Sequence, residues 1–195
     1  HYRNNALTHE MGLNAQNQLY GVYKDYYTDG SIKSISQYRN GKLDGEMRRF
    51  YPGGKPEYSV FFRNDQKHGS YKGWYRNGQL MFSTQNCNGR RCAPVLEYDE
   101  QGNLEMRQEF DDNGAFKRQQ HYDLQGRPHS LEIFGLYRDG RPVLNKEGKV
   151  MMDYTVQWKH GVKDGDETHY KDHPKSGKQR VDYVIKWQDG QQMPR

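Results

Sequence analysis

The chain has no long apolar run. Without about 18 consecutive apolar residues it carries no signal for a membrane-spanning helix. Only 32% of its 195 residues are hydrophobic and its mean hydropathy is −1.27, so a thick globular core is excluded. No segment shows a helical apolar stripe with caps. Two cysteines, Cys87 and Cys92, are too few for a zinc site and wrongly spaced for a C-x-x-C redox pair. No G-x-S-x-G elbow occurs. Ser176-Gly177-Lys178 lacks the upstream Gly and the Lys-Ser/Thr end of a phosphate loop. Asp111-Asp112 sits in a turn cluster, and no nucleophile, base and orienting group occur together. His169 and His173 have a four-residue spacing that suits a metal only on a helix, whereas Tyr170-Lys171-Asp172 and Pro174 signal strand and turn. The expectation is a protein that is not an enzyme, with no cofactor and no metal.

What is there is a period. Tyr26, Phe50, Trp74, Tyr98 and Tyr122 are each 24 residues apart, and so are Gly30, Gly54, Gly78, Gly102 and Gly126. Gly21, Gly45 and Gly69 keep the same step, as do Tyr38 with Phe62 and Phe110 with Phe134 and Trp158. Asn86 is the gap in that second column. A fixed period of this size marks an array of one small supersecondary unit. Each unit has two turn signals. The first is Asp29-Gly30 and its counterparts; the second is Asn40-Gly41, then Asn64-Asp65, Asn88-Gly89, Asn113-Gly114 and Asp139-Gly140. Asn-Gly and Asp-Gly supply the positive φ that tight hairpin turns require. Stretches such as Ile32–Tyr38 have the length and the branched and aromatic content of a strand. The fold class expected is all-β, an elongated antiparallel β-hairpin meander of about 24 residues per repeat, with ring-on-ring columns as its core. Residues 1–19 are expected to be N-terminal cap strands, 20–140 regular hairpin repeats, and 141–195 degenerate repeats and a C-terminal cap, in one continuous domain. In the last part Trp158 with Gly161 is copied by Trp187 with Gly190, and Asp172–Gly177 is expected to be a slightly longer turn.

Net charge is +5 and pI about 9.0, unevenly spread. Residues 46–92 carry Arg48, Arg49, Lys55, Arg63, Lys67, Lys72, Arg76, Arg90 and Arg91 against Glu46, Glu57 and Asp65. Residues 97–112 reverse the sign, with Glu97, Asp99, Glu100, Glu105, Glu109, Asp111 and Asp112 against Arg107. Blocks of one sign are usually solvated faces; the sharper reading is a bipolar surface that complements a protein partner and speeds encounter. Nucleic acid is disfavoured, because the period already demands the rings and the acidic unit repels phosphate. Cys87 and Cys92 flank the Asn88-Gly89 turn, which brings them within disulfide reach if their Cβ vectors converge, and a bridge implies an oxidising compartment; two free thiols in the cytosol are the alternative. A chain that opens on His1 and not on Met is expected to have lost an N-terminal segment, by processing or otherwise.

Gly21-Val22-Tyr23-Lys24-Asp25-Tyr26-Tyr27-Thr28-Asp29-Gly30-Ser31-Ile32-Lys33-Ser34, the ending Tyr38-Arg39-Asn40-Gly41-Lys42, and His68–Leu80 resemble the variant MORN repeat of bacteria. The resemblance is close over residues 20–126 and loose over 140–190. Proteins built mainly of such repeats are similar to antitoxin or immunity proteins. What this resemblance implies is direct binding of a cognate toxin or effector, without catalytic residues, in the periplasm (or, alternatively, the cytoplasm). The wider resemblance to MORN repeats implies an alternative: weak contact of the basic repeats with anionic membrane phospholipid. Departures from the repeat are where specific contacts belong. The partner-binding residues expected are Arg48, Arg49, Trp74, Tyr75, Arg90 and Arg91, with Glu97 and Asp99 as the acidic counterpart, since Arg and aromatic residues dominate interface energies. Stoichiometry and oligomeric state have no signature in the chain.

Overall fold

The computed structural model describes residues 2–3, 6–172 and 179–194. The Asp172–Gly177 loop beyond its first residue, His173 of the His169 pair, and Ser176-Gly177-Lys178 lie outside the described residues. Those that are described form strands and turns and no helix. The chain divides into two compact units, His1–Ala93 with Glu100–Gly102, and Pro94–Asp99 with Asn103–Arg195.

The first unit is an antiparallel meander of β1 (Gly21–Tyr26), β2 (Ile32–Arg39), β3 (Gly45–Phe50), β4 (Pro56–Arg63), β5 (Gln66–Trp74) and β6 (Leu80–Cys87). Each strand pairs with the next along the chain. Ahead of it, His9 and Glu10 pair with Asp25 and Lys24 of β1. The second unit continues the pattern with β7 (Val95–Tyr98), β8 (Leu104–Phe110), β9 (Phe116–Tyr122), β10 (Pro128–Gly135), β11 (Met152–Lys159), β12 (Val162–Asp172) and β13 (Gln179–Gln188). These too pair consecutively. Between β10 and β11 the chain makes a side excursion, a small hairpin of Tyr137–Arg138 with Arg141–Pro142 and a bridge from Leu144 to Val150. That insertion is where the 24-residue step is lost.

The two turn signals are two different turns. In the first, Tyr27 N–H donates to Ser31 O at 2.8 Å and Gly30 N–H to Tyr27 O at 3.0 Å, with positive φ only at Gly30. This is a type I turn closed by a bulge that needs Gly. In the second, both central residues are left-handed, Asn40 at φ 51° and Gly41 at 80°, the two-residue turn that matches strand twist. Asn113-Gly114, expected to be of the second type, is of the first: Asp111 N–H reaches Ala115 O and Asn113 is not left-handed. Within the first unit, successive repeats are also joined to each other at both ends of their strands. Gly41 N–H donates to Leu19 O, Asp65 N–H to Leu43 O and Gly89 N–H to Lys67 O, at 2.8 to 2.9 Å. At the opposite end Tyr27 Oη–H donates to Phe50 O at 2.7 Å and Tyr51 Oη–H to Trp74 O at 2.8 Å.

The aromatic columns do not form a core of stacked rings. A 24-residue step spans two strands, roughly 10 Å, because neighbouring strands lie about 4.8 Å apart. Members of one column are therefore separated by an intervening strand, except Phe134 and Trp158, whose strands β10 and β11 pair directly. Ring contacts instead run between adjacent strands: Tyr58–Tyr71–Phe82 in the first unit, and Phe134–Tyr154–His169–Tyr183 in the second, where successive centroids are 4.2, 5.1 and 4.3 Å apart and near-parallel. The buried set is small and largely polar: Val60, Val95, Met106, Met151 and Val156 beside Ser34, Ser36, Thr84, Asn86, Gln120, Glu132, Thr155 and Glu167.

Two of these carboxylates pin the second unit. Glu132, 1% exposed, takes the Arg118 guanidinium on one oxygen and the Trp158 indole N–H on the other at 2.8 Å. Glu167 repeats the device: Lys163 Nζ at 2.6 Å and Trp187 Nε1 at 3.0 Å on one oxygen, His169 Nε2 at 2.8 Å from the other. Burial alone would raise the Glu167 pKa, but Lys163 and His169 outweigh it and hold the carboxyl below its ordinary range.

Glu167→Gln is expected to cost about 1–3 kcal/mol near neutral pH, the penalty for stripping a buried charged hydrogen bond. Because the folded carboxyl titrates low, its contribution is complete above the ordinary value of 4.5 and fades as pH falls below that. Urea melts of both proteins across acid pH should converge; a difference that grows on acidification would contradict the assignment. Gly73 on β5 lies under the Phe82 ring, where an added Cβ would sit 2.3 Å from a ring carbon. Gly73→Ala is therefore expected to lower stability by about 1–3 kcal/mol by overpacking, read as a drop in Tm.

Candidate functional site

Antiparallel register fixes which side chains share a face of the first unit. Arg48 on β3 stands opposite Ser59 on β4, which stands opposite Lys72 on β5; Glu46 stands opposite Phe61. Residues directly opposite one another lie on the same face, and their chain neighbours on the other. Arg48, Ser59, Lys72, Glu46 and Phe61 are thus collected on one side of three adjacent strands. There they line a shallow groove of about 500 Å³, closed at one end by Phe50, Pro56 and Trp74. Phe61 is 40% exposed, an apolar ring open to solvent beside two cations. Glu46 orders the floor: one oxygen accepts the Ser59 hydroxyl at 2.6 Å and the other pairs with Arg48 Nη2 at 2.6 Å. The Arg48 contact holds the Glu46 carboxyl below its ordinary pKa, so it is ionised at neutral pH. Arg48 is still 56% exposed, and Lys72 is exposed beside it.

Of the residues singled out by sequence, Arg48 and Trp74 meet in this groove. Arg49 falls on the opposite face, where its Nε pairs with Glu57 at 2.8 Å. Tyr75 is half-buried in the first-type turn, its N–H donating to Gln79 O. Arg90 and Arg91 are exposed after the second-type turn, at the other end of the strands. Glu97 and Asp99 belong to the second unit. Glu97 is exposed on β7, while Asp99 accepts the N–H of Asn103 at 2.8 Å and its side-chain amide at 2.8 Å, which orders its own turn. Sequence reasoning missed Glu46, Ser59, Phe61 and Lys72. The signal was the register itself, which sets Arg48 against Ser59 and Lys72 and which no single strand displays.

Cys87 and Cys92 form a disulfide with Cα atoms 5.7 Å apart. They are diagonal and not directly opposite: Cys87 pairs with Arg90, and Cys92 N–H donates to Gln85 O. The bridge clamps the turn that carries Arg90 and Arg91.

The MORN repeat variant model matches residues 19–40, 43–64 and 67–85, and the groove is lined by residues of the second and third of these stretches. The chain carries MORN-type repeats over these stretches, which amount to less than half of it. No curated protein matches the chain. Among solved structures it is similar to a chain in a crystal structure of TcdB2-TccC3-Cdc42, at 9% identity and a TM-score of 0.25, over 89% of this chain and 10% of that one. The chain spans about a tenth of the length of that protein, and a superposition so loose carries no argument.

Replacing both cysteines by serine is expected to lower stability by about 2 kcal/mol, the loop entropy released by opening a ring this small. Thermal melts with and without reductant check it: reductant should shift the wild type toward the double variant and leave the variant unmoved.

Proposed function

We propose that the chain is a non-enzymatic immunity protein, which neutralises a cognate secreted bacterial effector by binding it and covering its active site or substrate route. The observation that carries this reading is the groove of the first unit. An exposed phenylalanine and a tryptophan flanked by Arg48 and Lys72 form a surface suited to an acidic protein patch with an apolar centre. Repeat arrays present long surfaces to partners more readily than they enclose reactive pockets. The disulfide supports an oxidising setting, the periplasm, where such an antidote would meet an incoming effector. The same two cations would suit anionic phospholipid, which is the competing reading.

Binding to the product of the adjacent reading frame, and to vesicles with and without anionic lipid, separates the two. Nanomolar affinity for the protein, weakened at least tenfold (about 1.4 kcal/mol) by Arg48→Glu and by Trp74→Ala, is the expected outcome. Salt-sensitive binding to anionic vesicles with no protein partner would replace the immunity reading. Unchanged affinity in both variants would remove the groove from the interface.

A further inference from the structure

In the second unit, three metal-ligating side chains converge from separate elements. Asp123 opens the turn after β9. Its N–H donates to Arg127 O, and its Oδ1 accepts the N–H groups of Gln125 at 3.0 Å and Arg127 at 2.9 Å. Those bonds fix the carboxylate and leave Oδ2 toward a cation. Arg127 Nε lies 2.9 Å from Oδ2 and His160 Nδ1 3.3 Å from it. His129, near the start of β10, brings its ring within 5.3 Å of the His160 ring, centroid to centroid. Its Nδ1 is buried and has no hydrogen-bond partner among the described residues. Its cross-strand neighbour His121 bonds Gln119 instead. One ligand atom from each of Asp123, His129 and His160 lies within 4.8 Å of the others.

His160 is itself a departure. It occupies the first left-handed position of a second-type turn, at φ 51°, with Gly161 following. The same position is held by Asn40, Asn64, Asn88, Asp139 and Asp189 in the other such turns. Asn suits that conformation and an imidazole is not needed for it. A ring at this one tip, against a histidine whose buried nitrogen lacks a partner, asks for an explanation that the backbone does not supply.

We propose that Asp123, His129 and His160 bind one divalent first-row transition ion, zinc by its borderline softness, through two imidazole nitrogens and one carboxylate oxygen. Imidazole and carboxylate suit zinc, and three protein ligands leave a fourth position for water. The Asp123–His160 separation of 3.3 Å is close to the edge of a tetrahedron with bonds of about 2.1 Å. Burial alone would raise the Asp123 pKa, but the N–H groups of its turn, the Arg127 guanidinium and His160 together hold it well below the usual carboxylate range. Arg127 fills the cation's place, with Nη2 3.2 Å from His160 Nδ1. Its side chain is 46% exposed, and an ion pair so open to water holds weakly, so a metal displaces it toward solvent. Arg127 acts as a competitor to the ion, which separates this site from a simple salt-bridge cluster.

The test is calorimetric titration of the full, chelator-stripped chain with Zn²⁺, and with Co²⁺ followed by visible absorption. One ion per chain and a tetrahedral cobalt spectrum are expected. Asp123→Asn and His129→Ala should each weaken binding about tenfold or more, the size expected even of outer-shell losses at such sites. His160→Asn is the decisive variant: it restores the residue the turn favours, so it folds, and it should still lose the ion. Arg127→Ala should tighten binding. No stoichiometric binding, or binding that His160→Asn leaves unchanged, overturns the proposal; so does an Arg127→Ala variant that binds more weakly than wild type.

Discussion

The structure depends on hydrogen bonds that cross from one repeat to the next outside the sheet ladder. At one end of the strands, a turn N–H donates to a carbonyl in the preceding repeat, as Gly41 does to Leu19 and Gly89 to Lys67. At the other end, a tyrosine hydroxyl donates to a carbonyl in the following repeat, as Tyr27 does to Phe50 and Tyr51 to Trp74. Both bonds use groups that a hairpin turn would otherwise leave to water. They tie neighbours at each end of the strands and so fix register without a thick core. This is why a chain with so little apolar surface holds an ordered sheet: its stability is a sum over contacts between neighbouring repeats, supplemented by buried charged pins at Glu132 and Glu167.

A sheet held at its ends can leave part of its face open. In the first unit that face carries Arg48, Lys72, Phe61 and Trp74 around a shared groove, and none of these four side chains makes the joints between repeats, Trp74 contributing only its backbone carbonyl. The structural work sits at the turns and tyrosines, while the proposed recognition surface sits between them. The proposed role as a binding protein follows this separation.

The period, the hairpins and the strand class were legible because Gly, Asn and the aromatic residues recur at fixed steps for local backbone reasons. The face was not. Arg48 and Arg49 are adjacent in the chain and equally basic, yet alternation sends them to opposite sides, and only pairing with Ser59 and Tyr58 reveals which is which. Asn113-Gly114 misled because Asn-Gly serves both turn types; the distinction lies in whether Asn is left-handed. The ring columns misled for a different reason. Equal spacing in sequence fixed equal position in the repeat, but two strands' width separates the copies. The disulfide was legible from its turn, though its geometry is diagonal. The Asp123, His129 and His160 group was invisible, since its members lie on three elements and only the strand order assembles them.

The joints between repeats carry one more consequence, for how the molecule forms. The turn and tyrosine bonds named above that unite repeats in the first unit link residues only 22 or 23 positions apart. Low contact order of this kind favours rapid acquisition of structure. A nascent chain of this kind orders its leading hairpins while the trailing ones are still emerging, each completed repeat offering the next a template edge and none waiting for the far terminus.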